Sequence, residues 1–226
     1  QQYKPNQLKL VLIDYHTRTL RQFSKVPNIV DVSEKKVRTH VTKKEDLKPV
    51  IEWLRKQVDE RRNEMEKLYS IDPENFDENE IIRKFGYILV VIDDYEAFYN
   101  SKSTEIATLT SCISDGEEVG VRVIIAEDFA PLPNDELIKR AKKYGCGLLL
   151  GGTGLSNTTS EGITLFNGAQ PPYGQKTANL PPGRGYLVKR GQAQLIQAFA
   201  YWDENQNRNQ GLHNFLNNQI FPVINS

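Results

Sequence analysis

Cysteine is nearly absent: Cys112 and Cys146 are the only two in 226 residues. They lie far apart and without metal-ligand spacing, which excludes a disulfide framework and a zinc site and fits a reducing compartment. Neither sign of charge is in excess, since 29 Lys and Arg balance 29 Asp and Glu. The strong basic footprint of a nucleic-acid binder is therefore missing from the chain as a whole, although a local patch is compatible with this balance. No apolar run approaches the ~20 residues of a membrane helix, and no secretory leader opens the sequence. The polypeptide is expected to be soluble, alone or as part of a larger membrane-attached protein. There is no internal repeat. His40 has no Ser, Cys or acid at triad-like spacing and is read as structural.

What is present centres on Tyr87-Ile88-Leu89-Val90-Val91-Ile92, an unbroken run that ends in Asp93 and Asp94. Such a run suits a strand buried on both faces of a helix-covered parallel sheet. Acids at its C-terminal end sit where open α/β sheets bind ligands. In P-loop NTPases the first acid there associates with Mg²⁺ and the next acidic residue orients the attacking water. The same pattern also fits a core strand followed by an acidic turn.

Other segments repeat the theme. Residues 8–13 form a strand ending in Asp14. Residues 15–27 form a connection whose basic residues Arg18, Arg21 and Lys25 fit a solvated face. Residues 37–41 read as a short edge strand. A long helix over 44–69 has Leu47, Val50, Ile51, Leu54, Val58, Met65 and Leu68 as its apolar stripe. Its other face carries mixed charge, including Arg55, Glu60, Arg61 and Arg62, and suits solvent better than a nucleic-acid groove. Residues 70–84 are an acidic connection, with Pro73 blocking the helix. A helix over 101–114, a strand over 120–127, a helix over 135–144 and a strand over 147–150 follow. This alternation predicts an α/β fold with a mostly parallel sheet flanked by helices. From 151 to 185 the chain turns rich in Gly, Pro, Asn, Ser and Thr. A C-terminal β-hairpin turning at Arg190-Gly191 comes next, and the tail occupies 202–226.

A complete P-loop site needs G-x-x-x-x-G-K-[ST], and the sequence contains none. Gly168 to Thr177 imitates one, but with an extra residue between the glycines, Gln175 before Lys176, and two prolines. It reads as a loop. A P-loop strand and helix would be expected just ahead of the strand at 8–14, so the P-loop segment itself is not present in these residues.

Four stretches together resemble one family. They are the strand ending Leu12-Ile13-Asp14-Tyr15, the segment Ile92-Asp93-Asp94-Tyr95-Glu96-Ala97-Phe98, Gly120 to Asp128, and Leu180-Pro181-Pro182-Gly183-Arg184-Gly185. They resemble the FtsK/SpoIIIE-type ATPase domains, most closely the C-terminal ATPase domain of the EccC/EssC motors of type VII secretion, over roughly 8–201 in family order. The resemblance implies a single domain over 1–226 with a RecA-like P-loop NTPase core at 8–150, a Gly/Pro-rich loop and hairpin at 151–201, and the tail. It makes Asp93 the acid associated with Mg²⁺ and ATP, and Asp94 the counterpart of a catalytic Glu, one methylene shorter. It places Glu127 where relatives carry a nucleotide sensor, and offers Asp14 as a further cofactor contact and Arg184 as an intersubunit one. Relatives carry a basic residue that completes a neighbour's site after a helix like 135–143; no Arg occupies the matching place here, and Lys139, Arg140, Lys142 and Lys143 are the nearby candidates. These departures imply weak nucleotide binding or binding without turnover. The expected setting is cytoplasmic, as the soluble part of a membrane-anchored secretion protein. Expected partners are sister ATPase domains, a WXG-type secreted substrate and a homo-oligomeric ring, with no nucleic acid. A fully active ATPase domain and an FtsK-like DNA translocase are the alternatives.

Overall fold

A computed structural model describes residues 4–15, 17–32, 37–101, 104–127, 135–143, 145–150, 181, 183–190, 192–198, 211 and 214. The decoy loop at 168–177 and most of the tail lie outside them. The chain divides into two compact units, residues 1–128 with 223–226, and residues 129–222.

The first unit is built on a four-stranded sheet. Its strands are β1 (Leu8–Ile13), β2 (His40–Val41), β3 (Tyr87–Ile92) and β4 (Val121–Ile125). They run parallel in the order β2-β1-β3-β4, with β2 on the edge as its length and sequence predict. The register sets Ile13 beside Ile92 and Ile92 beside Ile125, so β1, β3 and β4 end level. Burial along β3 alternates: Ile88, Val90 and Ile92 are fully buried, while Tyr87, Leu89 and Val91 are half-buried. One face of the sheet is thus covered more completely than the other, where the unbroken apolar run predicts a strand buried on both faces.

Helices α1 (Leu47–Ile71), α2 (Asn79–Phe85), α3 (Tyr95–Asn100) and α4 (Glu105–Gly116) complete the unit. The stripe of α1 buries Leu47, Val50, Ile51, Leu54 and Val58 as its spacing predicts. α1 lies against α4, where Arg55 pairs with Asp115 at 2.6 Å and donates to Ser111 Oγ at 2.9 Å. Two short helices depart from the sequence reading. α2 falls in the stretch read as an acidic connection. Asp77 starts it by accepting from the Asn79 N–H at 2.9 Å, and Ile81 is its buried anchor. α3 begins directly after the Asp pair, ahead of the expected helix.

Arg61 corrects the sequence reading more sharply. Assigned by residue type to the charged face, it is fully buried. It lies three residues after Val58 and seven after Leu54, which puts it in phase with the apolar stripe. Its guanidinium donates to the carbonyls of Gly86 at 2.8 Å, Val119 at 2.9 Å and Phe85 at 3.1 Å. Burial lowers its pKa to about 10, with the charge of Glu60 opposing.

Gly86 links α2 to β3 at φ 69° and ψ −173°, a region essentially reserved for glycine. A Cβ there would stand 2.5 Å from the carbonyl oxygens of Asn6 and Gln7. Gly86→Ala is expected to cost at least about 2 kcal/mol, from backbone strain and this close approach together. Urea denaturation measures it, and a loss within experimental error contradicts the geometry.

The second unit holds α5 (Glu136–Lys143) and a three-stranded antiparallel sheet of β5 (Cys146–Leu150), β6 (Arg184–Lys189) and β7 (Gln192–Gln197), in that order. The hairpin forms as predicted, with Arg190 in the turn at φ 49°. β5 differs from expectation: it pairs antiparallel with β6 instead of extending the parallel sheet. Strand and helix alternation alone does not fix a strand's direction, and here Leu148 and Leu150 of the apolar run are exposed. Among the described residues, no helix is long and apolar enough to cross a membrane.

Candidate functional site

Because β1, β3 and β4 end level, their first residues beyond the sheet gather along one edge. The Asp93 N–H donates to the Ile13 carbonyl at 2.9 Å, and the Ala126 N–H to the Ile92 carbonyl at 2.8 Å. Four acids singled out from sequence, Asp14, Asp93, Asp94 and Glu127, therefore occupy neighbouring strand exits. Arg184 belongs to the second unit, exposed at the start of β6.

Asp14 is fully buried. One carboxylate oxygen accepts from the Arg18 N–H at 2.5 Å and the other from the Leu20 N–H at 2.8 Å. The Thr17 hydroxyl stands 3.1 Å from the first oxygen. The carboxylate thus satisfies amides at the start of the 3-10 helix over Thr19–Lys25, where helix starts leave donors without intrahelical acceptors. Arg18, at the same turn, has φ 53°.

Asp93 turns its Oδ2 to the same loop. The Thr17 hydroxyl lies 2.8 Å away, and Thr19 donates to that oxygen as well. A threonine hydroxyl has one proton, so Thr17 serves Asp93, the nearer acid, while Asp14 keeps its two amides. These threonines were missed from sequence, where 15–27 read only as a basic connection. A Thr-x-Thr turn directly after an acid-ended strand is the signal that could have found them.

Asp94 adopts a left-handed conformation, φ 53° and ψ 67°, and its carboxylate accepts from the Ala97 N–H at 3.2 Å as the N-cap of α3. Glu127 Oε2 accepts from the Glu96 N–H at 2.6 Å. Beneath them Tyr15, Tyr95, Phe98 and Tyr99 form an aromatic cluster, with Tyr15 and Phe98 centroids 5.7 Å apart. Burial raises the Tyr15 phenol, with Glu105 and Asp46 adding to it. Burial likewise pushes His40 down, opposed by the charge of Asp14. In the second unit, the last turn of α5 carries Arg140, Lys142 and Lys143.

A parallel α/β sheet with carboxylates along its C-terminal edge defines the general class of ligand-binding α/β domains. The FtsK/SpoIIIE family profile matches residues 1–140, more than half of the chain, and the chain belongs to that family. No curated protein matches its sequence. Among solved structures, it is similar to EssC (ATPases 2 and 3) from Geobacillus thermodenitrificans, with 17% identity and a TM-score of 0.69 over 99% of this chain and 39% of that one. It is also similar to the cytoplasmic domain of the Thermomonospora curvata type VII secretion ATPase EccC, with 21% identity and a TM-score of 0.53 over 87% of this chain and 20% of that one. The fold is that of an FtsK-like P-loop ATPase domain, and the chain spans well under half the length of either structure.

ATPase families of this kind generally use ATP and Mg²⁺. The described residues do not by themselves fit that pair. Among them no group of three or more His, Cys, Asp or Glu is arranged to hold a metal, and the outer oxygen of Asp93 already faces two hydroxyls. Asp94 and Glu127 both face amides of α3.

Proposed function

We propose that this chain is an ATPase-fold domain of a type VII protein secretion motor that works by coupling and substrate docking, with little or no ATP turnover of its own. In this reading it forms one domain over 1–226 and sits in the cytoplasm as the soluble part of a membrane-anchored protein. Its partners are sister ATPase domains, a WXG-type secreted protein and, in a ring, further copies. ATP with Mg²⁺ binds weakly at Asp93 or not at all. Asp14 supports the loop beside that acid, and Arg184 makes an intersubunit contact. Similarity to the EssC and EccC ATPase structures supports the setting.

One observation carries the proposal of low turnover. The acid in the water-orienting place, Asp94, caps its own helix, with its carboxylate on the Ala97 N–H. A general base or water-orienting group must reach the reacting water directly or through one intermediary. Asp94 is directed at the amide behind it.

Asn caps helices about as well as Asp but cannot act as a base. Asp94→Asn in the complete motor protein is therefore expected to leave both stability and ATP turnover unchanged, whereas Asp94→Ala costs about 1 kcal/mol of stability. Denaturation and steady-state ATPase assays check both. A drop in turnover of about tenfold or more for Asp94→Asn would restore the catalytic role.

A further inference from the structure

α3 has only six residues, too few to hold itself together without tertiary ties. Its first three amides find acceptors from two different strands. The Tyr95 N–H points at the carbonyl of Ala126, at 3.3 Å. The Glu96 N–H donates to Glu127 Oε2 at 2.6 Å. The Ala97 N–H donates to Asp94 Oδ1 at 3.2 Å. Two of these three ties come from residues just beyond β4, and the Glu127 tie is short and charge-assisted at the positive end of the helix.

The turn so fixed holds Asp93. Residue 93 is bound on one side through its N–H to Ile13, and its carboxylate meets Thr17 and Thr19 from the β1 loop. On the other side the chain passes through Asp94, in its left-handed conformation, straight into the amides that Ala126 and Glu127 hold. A left-handed Asp is uncommon and persists where its surroundings determine it.

We propose that Glu127 is a positioning residue for Asp93. Its carboxylate ties the exit of β4 to the start of α3 and so fixes the β3–α3 turn that aims Asp93 at the Thr17 and Thr19 hydroxyls. This rests on reading Asp93 as the acid of the site, but it assigns Glu127 a role other than sensing nucleotide. A displacement at the end of β4 then moves Asp93 through α3, with no ligand between them. Glu127→Gln keeps an acceptor at the same reach, whereas Glu127→Ala removes it and Glu127→Asp is one methylene too short.

The test is solution NMR on this chain without nucleotide, so its outcome is independent of whether the domain binds ATP. In Glu127→Ala, exchange of the Glu96 amide is expected to speed up at least about tenfold, while amides in β1 and β3 keep their protection. The carboxyl carbon resonance of Asp93 is expected to shift in the same variant and to return toward its original position in Glu127→Gln. Glu127→Asp should behave like Glu127→Ala, which keeps the test available if the alanine variant folds poorly. Unchanged Glu96 exchange in both shortened variants overturns the proposal. So does faster Glu96 exchange with an unmoved Asp93 carboxyl carbon, because Glu127 would then be a helix cap only.

Discussion

Arg61→Ala is expected to destabilise the domain by about 3–5 kcal/mol, enough to unfold a marginal protein at ambient temperature. The guanidinium is fully buried and donates to three carbonyls, those of Phe85, Gly86 and Val119. Alanine leaves these acceptors without a donor at the places where β3 is entered and β4 is approached. It also removes the long stem that fills the space beneath α1. Arg61→Lys should recover only a minor part of the loss, since an ammonium does not reproduce the planar fork that reaches separate acceptors. Arg61→Met spares the cost of burying a charge but leaves the same carbonyls unpaired, so it too should be destabilising. Urea midpoints and slopes measure all three. A loss below about 1 kcal/mol for Arg61→Ala would mean that water or neighbouring donors replace the side chain readily.

Asp14→Ala is the second large effect, and it acts at the candidate site. Asp14 is fully buried and holds the amides of Arg18 and Leu20 at 2.5 and 2.8 Å. Bonds to a charged acceptor contribute about 1.5–3 kcal/mol each, and they share one carboxylate here, so a total loss of about 2–4 kcal/mol is expected. The consequence reaches beyond stability. The amides released belong to the loop that brings Thr17 and Thr19 to Asp93. Hydrogen exchange at Arg18 and Leu20 should accelerate with the global loss, and Asp14→Asn, which keeps one carbonyl acceptor, should fall between wild type and alanine. Equal stability of Asp14→Ala and wild type would show that the loop closes without the buried carboxylate.

Much of the first unit was legible in the sequence because its signals were strong. The runs at 8–13, 87–92 and 121–125 are rich in Leu, Val and Ile, broken only by Lys9 and Arg122, each is followed within two residues by an acid, and α1 repeats its apolar residues over many turns. The gathering of Asp14, Asp93 and Glu127 along one edge follows from parallel strands that end in register, a consequence of the βαβ pattern. Other features depend on contacts that spacing does not encode. α3 is too short to show a periodicity, and its ties to Ala126 and Glu127 come from the end of a neighbouring strand. Arg61 was misplaced because it was judged by residue type instead of by its phase on α1. β5 was misassigned because an apolar strand after a helix fits either sheet until its partner is known. Thr17 and Thr19 are marked in sequence only by their Thr-x-Thr spacing after an acid-ended strand, and their role exists only because Asp93 lies opposite them.

The central claim is that the acids at this edge serve the fold and its couplings more than ATP hydrolysis. Calorimetric titration of Mg·ATP into a polypeptide in which this is the only ATPase domain tests it most directly. The expected result is no saturable heat at millimolar ATP while the domain remains folded. Saturable binding that disappears in Asp93→Ala would contradict the account and place a competent nucleotide site at the end of β3.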